Sequence, residues 1–203
     1  MASRAEDTLN DRRDGPRTRS VLALGKIVHA GREHIAIVRD IASGGLKIEM
    51  IDPPEPGSYV IVEMLGLNPT PARVAWRRDR QAGLAFSMPQ EVERMCRRGR
   101  DESGTAARGP RFTIAARATL RVDGRAVPID VVNISAGGAR LRGLVGVAAN
   151  LPASLELRRG KGAWSGYIRW LDGADAGFSF TPPLDFRTLL DTVQSSSVPI
   201  GRS

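Results

Sequence analysis

Two arginines four residues apart, Arg13 and Arg17, and two short polar turns are the places where residue type and spacing in this chain point to chemistry. The turns are Asp40-Ile41-Ala42-Ser43-Gly44-Gly45 and Asn133-Ile134-Ser135-Ala136-Gly137-Gly138. Guanidinium groups fork onto phosphate oxygens, and they are never deprotonated in a protein. Asp40 accepts hydrogen bonds as a carboxylate, and Asn133 accepts them more weakly through its amide oxygen. Ser135 offers a donor and an acceptor. Ser43 stands one residue later in its turn than Ser135 does in the other. Gly45 and Gly138 suit a turn that needs positive φ or close approach by a ligand. A plainer reading exists beside this one: Arg13 and Arg17 as solvated tail charges, and Asp40, Asn133 and Ser135 as caps of their own turns.

The residues expected of an enzyme are missing. No nucleophile–base pair or paired-carboxylate pattern occurs, and His29 and His34 have no such partner beside them in sequence, so no catalytic residue is assigned. One cysteine, Cys96, and two histidines make no zinc-type ligand set, so neither a metal nor a disulfide is expected. The formal charge is +8 over 203 residues. Nearly all of the basic residues are arginines, which suits an anionic partner and equally a plain compositional bias. No apolar run is long enough to span a membrane, and the polar N-terminus lacks the core of a secretion signal. A cytoplasmic protein without a membrane span is expected.

The elements that hold these residues occur twice. Val38-Arg39-Asp40-Ile41-Ala42-Ser43-Gly44-Gly45 returns as Val131-Val132-Asn133-Ile134-Ser135-Ala136-Gly137-Gly138, Trp76 returns as Trp170, and Phe86 returns as Phe180. Trp and Phe are ten residues apart in both copies. These landmarks in register indicate a duplication. Each copy reads as all-β, with strands expected at 21–28, 34–39, 45–51, 58–65, 71–77 and 82–86, and at 115–122, 126–132, 138–142, 153–158, 164–171 and 176–180. A polar turn is placed at Gly31-Arg32-Glu33 in the first copy. Strands this short and this regularly spaced suggest a sandwich or a small barrel. A short helix is expected after each, over Glu91–Cys96 and Phe186–Val193. The four aromatics Trp76, Trp170, Phe86 and Phe180 are read as core, and Arg73, Arg77, Arg78 and Arg80 as a solvated strand end. The expected domains are 12–96 and 111–194, with 97–110 as a linker.

These landmarks resemble the PilZ family, which has an Arg-x-x-x-Arg loop followed by an Asp/Asn-x-Ser-x-x-Gly turn. The resemblance implies two six-stranded β-barrels in tandem, each with a short C-terminal helix, and a non-enzymatic receptor for cyclic di-GMP. Arg13 and Arg17 fit the arginine loop of the first copy; Asp40 and Gly45 fit its turn, while Ala42 takes the serine position and leaves Ser43 as a substitute. Asn133, Ser135 and Gly138 fit the second turn completely, but no arginine loop precedes it at the same distance. The resemblance implies cyclic di-GMP as the ligand, no other cofactor, and regulation of motility or exopolysaccharide through an unidentified protein partner. The alternatives are a degenerate adaptor that has lost the ligand and a composite site shared by the two copies. Nucleic acid is not the expected partner, because no helix-turn-helix or aromatic-basic RNA motif is present.

Overall fold

The structure, a computed structural model, describes residues 19–93, 109–158 and 162–196. Twelve strands run through the described residues. The first six are β1 (Arg19–His29), β2 (Arg32–Ala42), β3 (Gly45–Glu49), β4 (Tyr59–Met64), β5 (Leu67–Arg78) and β6 (Gln81–Phe86). They close into an antiparallel barrel in the order β1-β2-β3-β6-β5-β4. The next six are β7 (Phe112–Val122), β8 (Arg125–Ser135), β9 (Gly138–Arg142), β10 (Pro152–Leu157), β11 (Ala163–Asp172) and β12 (Asp175–Phe180). They close a second barrel of the same connectivity. Closure leaves neither sheet with an open edge. All twelve expected strands are present.

The duplication extends to the irregularities. Register shifts fall between Ser20 and Ala23, Val38 and Asp40, and Val74 and Trp76 in the first barrel. In the second they fall between Thr113 and Ala116, Val131 and Asn133, and Ile168 and Trp170. A bulge bends its strand and re-aims the side chains around it. The two barrels thus share three such corners at equivalent positions, and the first has one more, between Val62 and Met64.

Each barrel fills itself by strand alternation. In β4 the buried residues are Val60, Val62 and Met64, and in β3 they are Leu46 and Ile48. Hairpin turns come from residues that tolerate positive φ. Asp123 and Gly124 have φ of 49° and 70°, and Ala30 and Gly31 have 48° and 70°, the signs a type I′ turn requires. The first hairpin therefore turns at Ala30-Gly31, and Arg32 and Glu33, expected in the turn, already belong to β2.

The helix after the second barrel, α1, spans Phe186–Ser196. Asp185 caps it, accepting the Thr188 N–H at 2.9 Å and the Thr188 hydroxyl at 2.8 Å. Leu189, Thr192 and Val193 are its buried face. Of the helix expected over Glu91–Cys96, Val92 and Glu93 are in helical conformation, Glu91 is not, and residues 94–96 lie outside the described residues.

Candidate functional site: a polar row ending on an indole

Cross-strand register lines up a single row on the outer wall of the first barrel. Ser20 pairs with Asp40, Asp40 with Lys47, Lys47 with Gly83, and Gly83 with Trp76. The bulges at Ser20/Ala23, Val38/Asp40 and Val74/Trp76 all touch this row. Asp40 is half-buried and accepts a hydrogen bond from the Ser20 hydroxyl at 2.7 Å. Lys47 is half-buried and makes no ion pair among the described residues. At the far end the indole of Trp76 lies across Gly83, where a Cβ would come within 2.5 Å of Cε2 and 2.7 Å of Cδ1.

Trp76 is 42% exposed and Trp170 39% exposed, so both lie on the outer walls and the expectation of core tryptophans is corrected. The outward turn follows from the bulge just before each Trp and from the facing glycine, whose missing side chain gives the ring a bed. Phe180 is buried, and Phe86 packs against the first core, as expected. Sequence reasoning missed Ser20, Lys47 and Trp76 as members of this surface. The available signal was Trp76–Gly83 recurring at the same spacing as Trp170–Gly177. Arg77 is also corrected. It is no solvated end residue but pairs with Asp52 and Glu55, both at 2.9 Å, and with the Pro53 carbonyl.

Ser43 lies in the β2–β3 turn beside Asp40, and its carbonyl accepts the Gln90 N–H at 2.8 Å. Gly45 opens β3. Its φ and that of Gly138 are not positive. The neighbouring strand is what requires them: a Cβ on Gly45 would collide with the Leu84 carbonyl oxygen, and one on Gly138 with that of Phe178. Arg13 and Arg17 lie outside the described residues; Arg17 precedes β1 by two positions.

The second barrel repeats the row as Thr113, Asn133, Arg140, Gly177 and Trp170. Its electrostatics differ. Asp175 accepts hydrogen bonds from Arg140 and, at 3.1 Å, from Arg142. Those bonds hold the Asp175 carboxyl below the usual carboxylate range. The residues corresponding to Asp175 and Arg142 in the first barrel are Gln81 and Glu49, and Glu49 pairs with Arg39 at 2.7 Å. The row cation is therefore neutralised in the second barrel and without an ion pair among the described residues in the first. Asn133 Oδ1 and Arg140 Nε are buried without a hydrogen-bond partner. The Ser135 hydroxyl bonds the Gly138 carbonyl of its own turn at 3.2 Å, which matches its turn-capping reading. Asp40, Ser43 and Gly45 thus share one hairpin, and Asn133, Ser135 and Gly138 share another on the other barrel.

Residues 19–93 contain nine Lys or Arg and nine Asp or Glu, so the chain's positive excess lies outside the first barrel. Among the described residues no group of His, Cys, Asp and Glu could hold a metal, and no helix is long and apolar enough to cross a membrane.

The family model of the PilZ domain matches residues 11–98, a span that takes in Arg13, Arg17 and the whole row of the first barrel. The first barrel is a PilZ domain. No curated protein matches the chain. Among solved structures it is similar to Borreliella burgdorferi PlzA in complex with c-di-GMP, at 10% identity over 82% of this chain and 84% of that one, TM-score 0.35. It is similar also to Bacillus subtilis MotI/DgrA, an inhibitor of motility, at 16% identity over 85% and 94%, TM-score 0.36. Escherichia coli YcgR in complex with c-di-GMP gives 11% identity over 86% and 81%, TM-score 0.30. The match to the PilZ domain leaves the second barrel outside its span, and there the likeness to the first rests on shared connectivity, bulges and row.

Proposed function

We propose that the chain is a receptor for cyclic di-GMP and that the PilZ barrel at its N-terminal end is the binder. The observation that carries this reading is the row itself. One row across the barrel wall offers an acceptor in Asp40, a cation without an ion pair among the described residues in Lys47 and a half-exposed indole in Trp76. Cyclic di-GMP presents guanine N–H donors to a carboxylate, phosphates to a cation and a π-face to an indole. Arg13 and Arg17 enter just ahead of β1 and supply guanidinium forks for phosphate or for guanine O6 and N7. The Ser20 hydroxyl against Asp40 stands in for the one that Ala42 lacks. Ser43 and Gly45 shape the turn that presents Asp40. Arg13→Ala and Arg17→Ala are expected to remove the thermal stabilisation that cyclic di-GMP gives the wild-type protein, with unchanged melting in its absence. Equal ligand-induced shifts in both variants would remove the arginines from the site.

A second reading, a ligand-free adaptor, is favoured for the second barrel, where Asp175 occupies Arg140 and Arg142 and Ser135 bonds its own turn. On this account Asn133, Ser135 and Gly138 hold their turn and bind no nucleotide. Regulation of motility or exopolysaccharide through a protein partner belongs to the same proposal. The partner would read the change that bound cyclic di-GMP makes to this surface.

A further inference from the structure

The second barrel keeps the row but has no arginine arm, and the chain entering β7 is held by the first barrel instead. Lys26 lies on the outer flank of β1 with its side chain 13% exposed. Its Nζ donates to the Arg111 carbonyl at 2.9 Å and pairs with Glu63 at 2.8 Å and Glu33 at 3.5 Å. Glu33 in turn accepts the Thr113 N–H at 2.6 Å, and its other oxygen lies 3.5 Å from the Thr113 hydroxyl. Ala36 and Val38 point into the first barrel, so Ile35 points out, yet it is 6% exposed because it belongs to the core of the second barrel. Leu24 packs against that core as well. Leu190 and Val193 of α1 line one cavity of about 430 Å³ with His34 and Met50 of the first barrel.

The geometry points to a latch: the segment entering β7, which in the first barrel is the place of the ligand arm, is the seat by which the second barrel docks on the first. The two barrels form one body, and the second is a platform with its own row closed at the arm side. The arm comparison rests on the receptor reading; the latch does not. Thr113 stands where Ser20 stands in the first barrel, each paired with the row's acceptor. Ser20 gives its hydroxyl to Asp40, whereas Thr113 turns to Glu33 and leaves Asn133 Oδ1 without a partner. The contact is heterologous, so a copy of the same flank on the second barrel would continue it. That flank carries Arg117, Thr119, Ala126 and Pro128 where the first has Leu24, Lys26, Glu33 and Ile35. The latch groups are gone, and docking stops after one contact.

Hydrogen exchange and small-angle scattering on the full chain test this. The Thr113 amide is expected to be protected in the wild type and to exchange about tenfold faster or more in Glu33→Ala, with the central β7 and β8 amides unchanged. Lys26→Met, which keeps the apolar stem, is expected to broaden the scattering-derived distance distribution, and Glu156→Ala, beside Thr119 on the second barrel's copy of that flank, is expected to leave it unchanged. A Thr113 amide equally labile in wild type and Glu33→Ala, or wild-type scattering that requires two independently moving barrels, would overturn the latch. A protected Thr113 in a protein that fails to bind cyclic di-GMP would leave the latch standing and remove the receptor reading.

Discussion

One methyl group at Gly83 separates the indole from the rest of the row. Gly83 is strand backbone without positive φ, so alanine fits its conformation. The added Cβ would sit within 3 Å of three atoms of the Trp76 pyrrole ring, so the ring must leave its bed. Trp76 is already 42% exposed, and rotating it outward removes little from the core. Base–aromatic stacking contributes about 1–3 kcal/mol per base, so losing it predicts a Kd for cyclic di-GMP weaker by roughly 5- to 150-fold. Asp40, Lys47 and Ser20 are untouched. Gly177→Ala is the internal control, since the same Cβ would displace Trp170 on the second barrel. Both variants are expected to red-shift tryptophan emission, and only Gly83→Ala to weaken binding in calorimetric titration. A red-shifted Gly83→Ala protein with wild-type affinity would refute the stacking argument, and a loss in Gly177→Ala alone would move the site to the other barrel.

Gly45→Ala collides with backbone, not with a movable ring, and the β3–β6 spacing must open. Overpacking of this kind costs roughly 3 kcal/mol, which lowers Tm by about 10–20 °C for a domain of this size, while Gly44→Ala, with nothing within 4 Å, melts as wild type; equal melting of the two would refute the close-approach argument. Lys47→Ala is expected to weaken cyclic di-GMP binding by about tenfold and to flatten its salt dependence, because a phosphate contact is lost; an unchanged salt slope would count against that contact. Burial above all, with His29 and Arg32 adding to it and Asp52 opposing, holds the His34 pKa below its ordinary 6.5. The unfolded chain therefore takes up this proton first, and stability falls as pH drops below 6.5 until the folded pKa is passed. His34→Gln is expected to lose that component of the pH dependence of Tm, and identical profiles would place His34 outside it.

Strand positions were legible because alternating burial leaves a period-two pattern, as in Tyr59–Met64, and because the two copies repeat it. The hairpin that carries Asp40 was legible for the same reason, although Asp40 itself lies in β2 and only Ser43 and Gly44 form the turn. The outward direction of Trp76 was not, because a bulge reverses strand alternation and a large aromatic residue in a strand ordinarily reads as core. Lys47 was hidden too: its value lies in its neighbours across the sheet, Asp40 and Gly83, which are seven and thirty-six residues away in sequence. Gly45 and Gly138 were recognised as needed, with ligand approach or positive φ as the expected reason; the carbonyls of Leu84 and Phe178 supply the one found. Ile35 reads from sequence as one more strand residue, and only the second barrel explains its burial.

Calorimetric titration of the full chain with cyclic di-GMP, with GTP as the control, bears most directly on the receptor. The account predicts saturable binding of one ligand or one ligand dimer per chain, abolished by Asp40→Ala and unaffected by Asn133→Ala. No heat and no thermal stabilisation with cyclic di-GMP, or binding that survives Asp40→Ala and is lost in Asn133→Ala, would contradict it.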